Sequence, residues 1–215
     1  MEILSAVGLT AILLAAPVRP QPPLPVLSPA ESLAQRVEER HRTVTDLTAR
    51  FTQTYKSGLL GREVTERGTV SIKPPGKMLW EYKDPEKKLF VSDGKTFYFY
   101  VPADKQVVVR EQAGDRGLLG RLLAGRGGIL GQFDVGLESA PSGKPRLLLV
   151  PKKTDPDVER VYIEPDTNDR IESIEIVDTQ GNRSLFRFEG IRVNVGLQER
   201  LFRFEIPKGV EVVGG

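Results

Sequence analysis

Few side chains in this sequence could do chemistry, and their spacing argues against most of it. His41 is the single histidine among 215 residues, and there is no cysteine. Disulfides, thiolate nucleophiles, thiolate metal sites and a lipidated N-terminal cysteine are therefore excluded. An imidazole becomes a general base or a metal ligand only with a partner at fixed spacing, and no acidic residue or second imidazole stands at such a spacing from His41. It falls four residues after Val37 in a helical pattern and reads as a helix-surface or stripe residue. Asp155, Asp157 and Glu159, and Asp166 with Asp169, lie among turn residues without calcium-loop spacing, so they read as turn formers. No serine elbow and no HExxH pair is present; strands can bring distant carboxylates together, but no motif recommends a pair. Gly125-Arg126-Gly127-Gly128 looks like a phosphate loop at first sight. It lacks both the Lys-Ser/Thr pair that reaches phosphate and magnesium and the glycine spacing of a dinucleotide site. The glycines read as a flexible hinge, and the chain as a protein with no catalytic residue, no metal and no cofactor.

Composition points the same way. The chain carries 31 basic and 29 acidic residues, interleaved, for a net charge of +2. That is a solvated surface and gives no footing for nucleic acid. With 39% hydrophobic residues it can bury one sizeable core, and a single domain is expected. The run ILSAVGLTAILLAA from Ile3 to Ala16 is too short to span a bilayer and fits the centre of a signal peptide, although Glu2 stands where a positive flank belongs. Residues 1–19 are thus expected to be a signal peptide, with a buried helix of the mature fold as the alternative. Residues 20–28 are expected to be a proline-rich disordered segment, and 29–215 the single domain of an exported, soluble protein.

The elements that must position any site follow from periodicity. Ser28-Pro29-Ala30-Glu31 is a helix start with a capping box, and Leu33, Val37 and Val44 continue it. Leu47, Ala49, Phe51 and Tyr55 alternate with polar residues, the period of a strand. The densest stretch is Gly68 to Tyr100. Val70 and Ile72, then Met78, Trp80 and Tyr82, alternate on either side of the turn Pro74-Pro75-Gly76-Lys77. Asp93-Gly94 marks the next hairpin. If Ser92 pairs with Lys95, Phe90 lies beside Phe97 on one face, with Leu89, Val91, Tyr98 and Tyr100 on the other. Both faces are apolar, so each needs a cover. Strands continue over Gln106–Arg110, Phe133–Ser139, Arg146–Val150, Val158–Glu164, Arg170–Val177 and Ser184–Val193, and Phe202, Phe204 and Ile206 predict one more. After Glu111 the period changes to a helical stripe of leucines. About ten or eleven strands in all indicate a sandwich or a curved barrel.

The stretches RFTQTYKS, GTVSIKPPGKMLWEYKDP, LFVSDGKTFYFYVPADKQV and FRFEIPKGVEVV, taken in that order, resemble the periplasmic outer-membrane lipoprotein carrier family, LolA. The resemblance covers the chain from about Ser28 to Val213 and is most specific from Pro75 to Val101. It implies a mainly β fold: an incomplete, strongly curved antiparallel β-barrel with an N-terminal helix and short apolar lid helices over its concave face. It also implies a non-enzymatic, monomeric periplasmic carrier for acylated lipoproteins, taking them from an inner-membrane ABC exporter and passing them to an outer-membrane receptor lipoprotein. By position, Phe51, Val70, Ile72, Met78, Trp80, Tyr82 and Phe90 would form the acyl-chain cavity wall. Leu118, Leu119, Leu122, Leu123, Ile129 and Leu130 would form the lid, and Gly125, Gly127 and Gly128 its hinge. Where the family typically has an arginine that holds the lid closed, this chain has Pro74, and alternation points Lys73 away from Ile72. Proteins resembling this fold also include envelope sensors that bind lipid and carriers of glycolipids. A lipid-free scaffold, with every apolar stripe in a core, is the third reading.

Overall fold

The computed structural model describes residues 27–111, 118–126 and 128–214. The expected leader and all but the end of the proline-rich segment lie outside the described residues. The first helix, α1 (Pro29–Arg42), begins as its sequence dictates. The Ser28 hydroxyl accepts from the Glu31 N–H at 3.2 Å, and the Ser28 N–H donates to the Glu31 carboxylate at 2.8 Å. This reciprocal pair satisfies two donors that helix geometry leaves open. Ala30, Leu33, Ala34, Val37 and His41 form its buried stripe.

Among the described residues twelve strands follow, against the ten or eleven expected. They are β1 (Leu47–Lys56), β2 (Glu63–Lys73), β3 (Lys77–Asp84), β4 (Lys88–Asp93), β5 (Thr96–Val101) and β6 (Gln106–Glu111), then, after two short helices, β7 (Phe133–Ser139), β8 (Pro145–Pro151), β9 (Arg160–Pro165), β10 (Ile171–Val177), β11 (Arg183–Val193) and β12 (Glu211–Val213). The helices between β6 and β7 are α2 (Leu118–Leu123) and α3 (Ile129–Gln132). All strands belong to one sheet, ordered β12-β6-β5-β4-β3-β2-β1-β11-β10-β9-β8-β7. Two meanders are thus joined where β1 pairs antiparallel with β11, and only the short β12 runs parallel to its neighbour. Side chains from β1 to β3 and from β8 to β11 share one hydrophobic cluster. Strands stand about 4.8 Å apart, so a flat sheet could not bring them together, and this one curls around the cluster.

Register across the first meander is regular enough to assign faces. Leu47, Ala49 and Phe51 lie opposite Ile72, Val70 and Gly68; Ile72, Val70 and Gly68 lie opposite Met78, Trp80 and Tyr82; and Met78 and Trp80 lie opposite Ser92 and Phe90. At the next hairpin the expected pairing is corrected. Ser92 pairs with Phe97, not Lys95, so Phe90 lies opposite Phe99. Asp93 is the reason: its Oδ1 accepts from the N–H groups of Lys95 and Thr96, each at 2.8 Å, and holds a wider turn than a two-residue loop. The slip is an even number of residues, so no side chain changes face.

The two faces are covered by different means, helices on one and an irregular segment on the other. α1, α2 and α3 all pack on the concave cluster, whereas the convex face is covered by the segment after β11. There Leu79, Val91 and Phe202 are buried together, with Leu89, Tyr98, Leu197 and Phe204 against them. Phe202 lies in a 3-10 turn, Glu199–Phe202, and the expected strand of Phe202, Phe204 and Ile206 does not form. Side chains hold this segment where a ladder would have been. Buried Asp46 accepts from the N–H of Val195 at 2.7 Å and of Leu197 at 2.8 Å. Lys73 donates to the Leu197 carbonyl at 2.7 Å and pairs with Glu199 at 2.8 Å, and Lys77 also pairs with Glu199. These two ammonium groups pull the Glu199 carboxyl down to about 2. Lys73 therefore does point away from Ile72, onto the outer face.

Candidate functional site

The concave wall is built by alternation alone. Phe51, Val70, Ile72, Met78, Trp80 and Tyr82 are buried on it, and Phe90 packs against them from β4. Phe51 meets Trp80 and Tyr82 edge-on at 5.0 and 4.8 Å between ring centroids, and Tyr82 meets Phe90 at 5.5 Å. All seven expected wall residues thus lie together. The second meander supplies the rest of the wall: Phe186 and Phe188 on β11, Ile174 on β10, Val161 and Ile163 on β9, Leu147 and Leu149 on β8. Trp80 touches Phe186 at 5.5 Å and Phe188 at 6.3 Å. The alternation in FRFEG was a legible signal for Phe186 and Phe188. That β11 lies beside β1 was not.

Over this wall lies a small lid. Leu122, Leu123, Ala124 and Ile129 are buried against the cluster, and Leu118, Leu119 and Leu130 pack on it part-buried. A Cβ added at Gly120 would sit 3.4 Å from the Met78 methyl, which places α2 directly over β3. Of the three expected hinge glycines, Gly125 and Gly128 have positive φ, +64° and +57°, and Gly127 lies outside the described residues. Gly125 is also a contact. A Cβ there would fall 2.4 Å from the carbonyl carbon of His41, closer than any side chain permits.

α1 holds the lid by two side chains. Of the two places the sequence left open for His41, helix surface or apolar stripe, it takes the stripe: it is buried, with Nδ1 2.9 Å from the Leu123 carbonyl oxygen and Nε2 3.2 Å from the Ile171 nitrogen. A carbonyl can only accept and an N–H can only donate. The ring is therefore neutral, protonated on Nδ1 and accepting at Nε2. Burial lowers its pKa below the ordinary 6.5, with Arg40 and Arg170 acting in the same direction. The second tie is Glu38, whose carboxylate accepts from the Ile129 N–H at 2.6 Å. Sequence reasoning missed both, because neither residue belongs to a motif and their partners are 82 to 130 positions away.

The cavity beside the lid's fastening is small. Between His41, Val44, Leu47, Leu123 and Phe188 lies a cavity of about 100 Å³, below the roughly 150 Å³ that accepts a single benzene ring. A wider groove of about 790 Å³ runs outside the lid, between Leu118, Arg121 and Phe133 and the loop from Lys152 to Val158. Away from the lid, the aromatic wall ends in a polar row. The Tyr82 hydroxyl donates to Gln53 at 2.6 Å, burial raising its pKa, and Lys88 pairs with Glu66 at 2.6 Å. The acidic turn clusters behave as turn formers: Asp155 accepts from the N–H of Asp157 and Val158, and Asp166 from those of Asn168 and Arg170. Among the described residues no three His, Asp or Glu side chains gather as a metal site, and no helix is long and apolar enough to cross a membrane.

A lidded apolar wall inside an open curled sheet is a fold shared with known proteins. The family model described as "Outer membrane lipoprotein carrier protein LolA" matches residues 42–205. The chain belongs to the LolA family. Its relatives include an outer-membrane lipoprotein carrier protein of Hahella chejuensis, 33% identical over 181 residues, covering 80% of this chain and 83% of the relative. Another of the same description, from Cupriavidus taiwanensis, is 33% identical over 150 residues and covers 69% of this chain and 71% of its own. A crystal structure of an uncharacterised conserved protein of Thermus thermophilus matches with a TM-score of 0.51 at 19% identity, over 86% of this chain and 98% of that one. That last likeness is one of fold. Set against the LolA pattern of the sequence, the described lid is fastened by His41 and Glu38, while Pro74 stands where the family's arginine is expected.

Proposed function

We propose that this LolA-family chain is a non-enzymatic periplasmic carrier. It takes the acyl chains of lipoproteins between the concave wall and the lid and shuttles them from the inner to the outer membrane. In that role an inner-membrane ABC exporter loads it and an outer-membrane receptor lipoprotein unloads it. The observation that carries this reading is the filled space: an aromatic wall large enough to line a lipid site is occupied by a few leucines on a short, separately fastened lid. Each methylene moved out of water is worth about 0.8 kcal/mol, so acyl chains held in a rigid open cavity would bind too tightly to leave. A lid that fills the cavity itself must give up its own contacts first, and this offsets much of the gain.

Native mass spectrometry of the protein, purified without detergent from its own periplasm, tests the proposal. Acylated lipoprotein at one-to-one stoichiometry is the expected result. A different bound lipid would move the reading to an envelope sensor or glycolipid carrier. A clean apo mass, together with no saturable displacement of a fluorescent fatty acid, would overturn it in favour of a scaffold.

A further inference from the structure

The most exposed apolar side chains among the described residues stand on neither the wall nor the lid. Leu59 and Leu60, in the loop between β1 and β2, are 90% and 76% exposed. Adjacent leucines at the tip of a hairpin are a poor choice for a water-facing loop, and the rest of the loop is built to hold them outward. The Ser57 N–H donates to the Arg62 carbonyl at 2.9 Å, and Gly61 donates back to the Ser57 carbonyl at 3.0 Å. The Ser57 hydroxyl takes the Leu60 N–H at 3.3 Å, and Asn182 takes the Gly58 N–H at 3.0 Å. Gly58 lies so close to the turn between β10 and β11 that a Cβ would fall 2.7 Å from the Gly181 backbone. The loop is therefore braced on a second hairpin, with the N–H groups of Ser57, Gly58, Leu60 and Gly61 satisfied from inside. Each donor satisfied within the protein lowers the cost of entering a medium that offers no hydrogen bonds.

The residues behind the tip are graded. Tyr55 lies opposite Val64, both more than a third exposed and both on the concave side by alternation from Phe51 and Val70. Lys56 and Arg62 flank the loop, with Glu63 opposite Lys56. Further in comes the polar row of Gln53, Glu66, Tyr82 and Lys88. Leucine outermost, then tyrosine and cations, then a polar belt is the chemical profile of a bilayer interface from hydrocarbon to headgroup. A protein groove would call for shaped anchors and hydrogen-bonding rims; this tip offers flexible aliphatic ends and positive charge.

We propose that the β1–β2 hairpin tip docks this protein onto a phospholipid bilayer, with Leu59 and Leu60 dipping into the hydrocarbon edge and Lys56 and Arg62 at anionic headgroups. The inference rests on the carrier reading, in which cargo must leave one membrane and enter another, and it places the membrane contact at the end of the sheet away from the His41 fastening. Flotation of the full chain with lipoprotein-free vesicles of phosphatidylethanolamine and phosphatidylglycerol is the test. The wild type should float with them, less so with phosphatidylcholine alone, and Leu59→Ser with Leu60→Ser should weaken partitioning by about tenfold or more with circular dichroism unchanged. Equal flotation of the double variant, or no flotation of the wild type, overturns the proposal. So does a leucine-dependent self-association in sedimentation without vesicle binding, which would make the tip a protein contact. Displacement of a fluorescent fatty acid, measured on the same samples, keeps the two ideas apart. Intact displacement without flotation removes only the docking tip, and flotation without any fatty-acid site removes only the carrier.

Discussion

The imidazole Nδ1 of His41 lies 2.9 Å from the carbonyl oxygen of Leu123, so the last turn of the first helix is bonded to the end of α2, in the lid. The same ring accepts from the Ile171 N–H on β10 and ties three elements at one point. Nothing in the local sequence of either residue announces this.

Replacing His41 with alanine strands one buried carbonyl and one buried N–H. Each such group costs about 1–3 kcal/mol, and denaturant unfolding should report a loss in that range. Hydrogen exchange should separate a fastening from a mere packing residue. Amides of Leu122 to Gly125 are expected to lose protection more than those of β1, and equal loss in both would make His41 an ordinary core residue.

The same ring sets a pH dependence. Burial keeps the folded pKa of His41 below 6.5, so between that value and the folded one the unfolded chain binds the proton and the native chain does not. Stability therefore falls as pH drops through this window and is complete above it. Around the ring stand Arg40 and Arg170, which deepen the shift, and Asp166, which opposes it. Melting temperatures from about pH 8 to about pH 5 should decline for the wild type and be flatter for His41→Gln. Parallel curves would rule out the histidine as the source.

Gly125→Ala meets two obstacles, a backbone at φ +64° and the His41 carbonyl carbon 2.4 Å from the new methyl. The left-handed conformation alone costs about 1–2 kcal/mol, and the overlap adds to it. The expected result is a destabilised protein whose lid is detached from α1, with raised affinity for a fluorescent fatty acid because less lid packing has to be broken. Wild-type stability in urea would show that the close approach is not needed.

Leu123→Asp puts a charge where the lid is buried against the wall. Acyl binding should be abolished while the far-ultraviolet spectrum of the sheet persists, since the strands do not depend on α2 for their ladders. Trp80, the single tryptophan, is buried beneath the same lid, and its emission should shift to the red in this variant. Unchanged emission with unchanged binding would mean that the leucine stripe does not cover the wall.

The first meander was legible in the sequence from Gly68 to Val101 because strand period, turn residues and apolar runs all agreed there. The Ser92 register was misjudged since Asp93 closes its turn through a side chain, a choice that a dipeptide signal does not specify. Phe202, Phe204 and Ile206 have a strand's period and no strand partner. Their place was decided by Asp46, Lys73 and Lys77, more than 120 residues away in each case. The wall residues of the first meander could be read directly, whereas Phe186, Phe188 and Ile174 required knowing which strand lies beside β1. His41 could be read only as surface or stripe, and its two partners not at all, because a lone imidazole in a helix looks the same whether it faces water or a carbonyl.

The seam between β1 and β11 has a consequence for how the chain must fold. Leu47 pairs with Val193, so the centre of the sheet is assembled from the two ends of the domain, across a loop of more than a hundred residues that the seam must close. Such distant pairing carries a large loop-closure cost and slows folding. Until β11 arrives, each meander presents an apolar face and an open edge at β1 or β10, and both are sites for aggregation. A nascent chain halted before Arg183 is expected to be insoluble, and refolding from denaturant should be slow for a domain of this size.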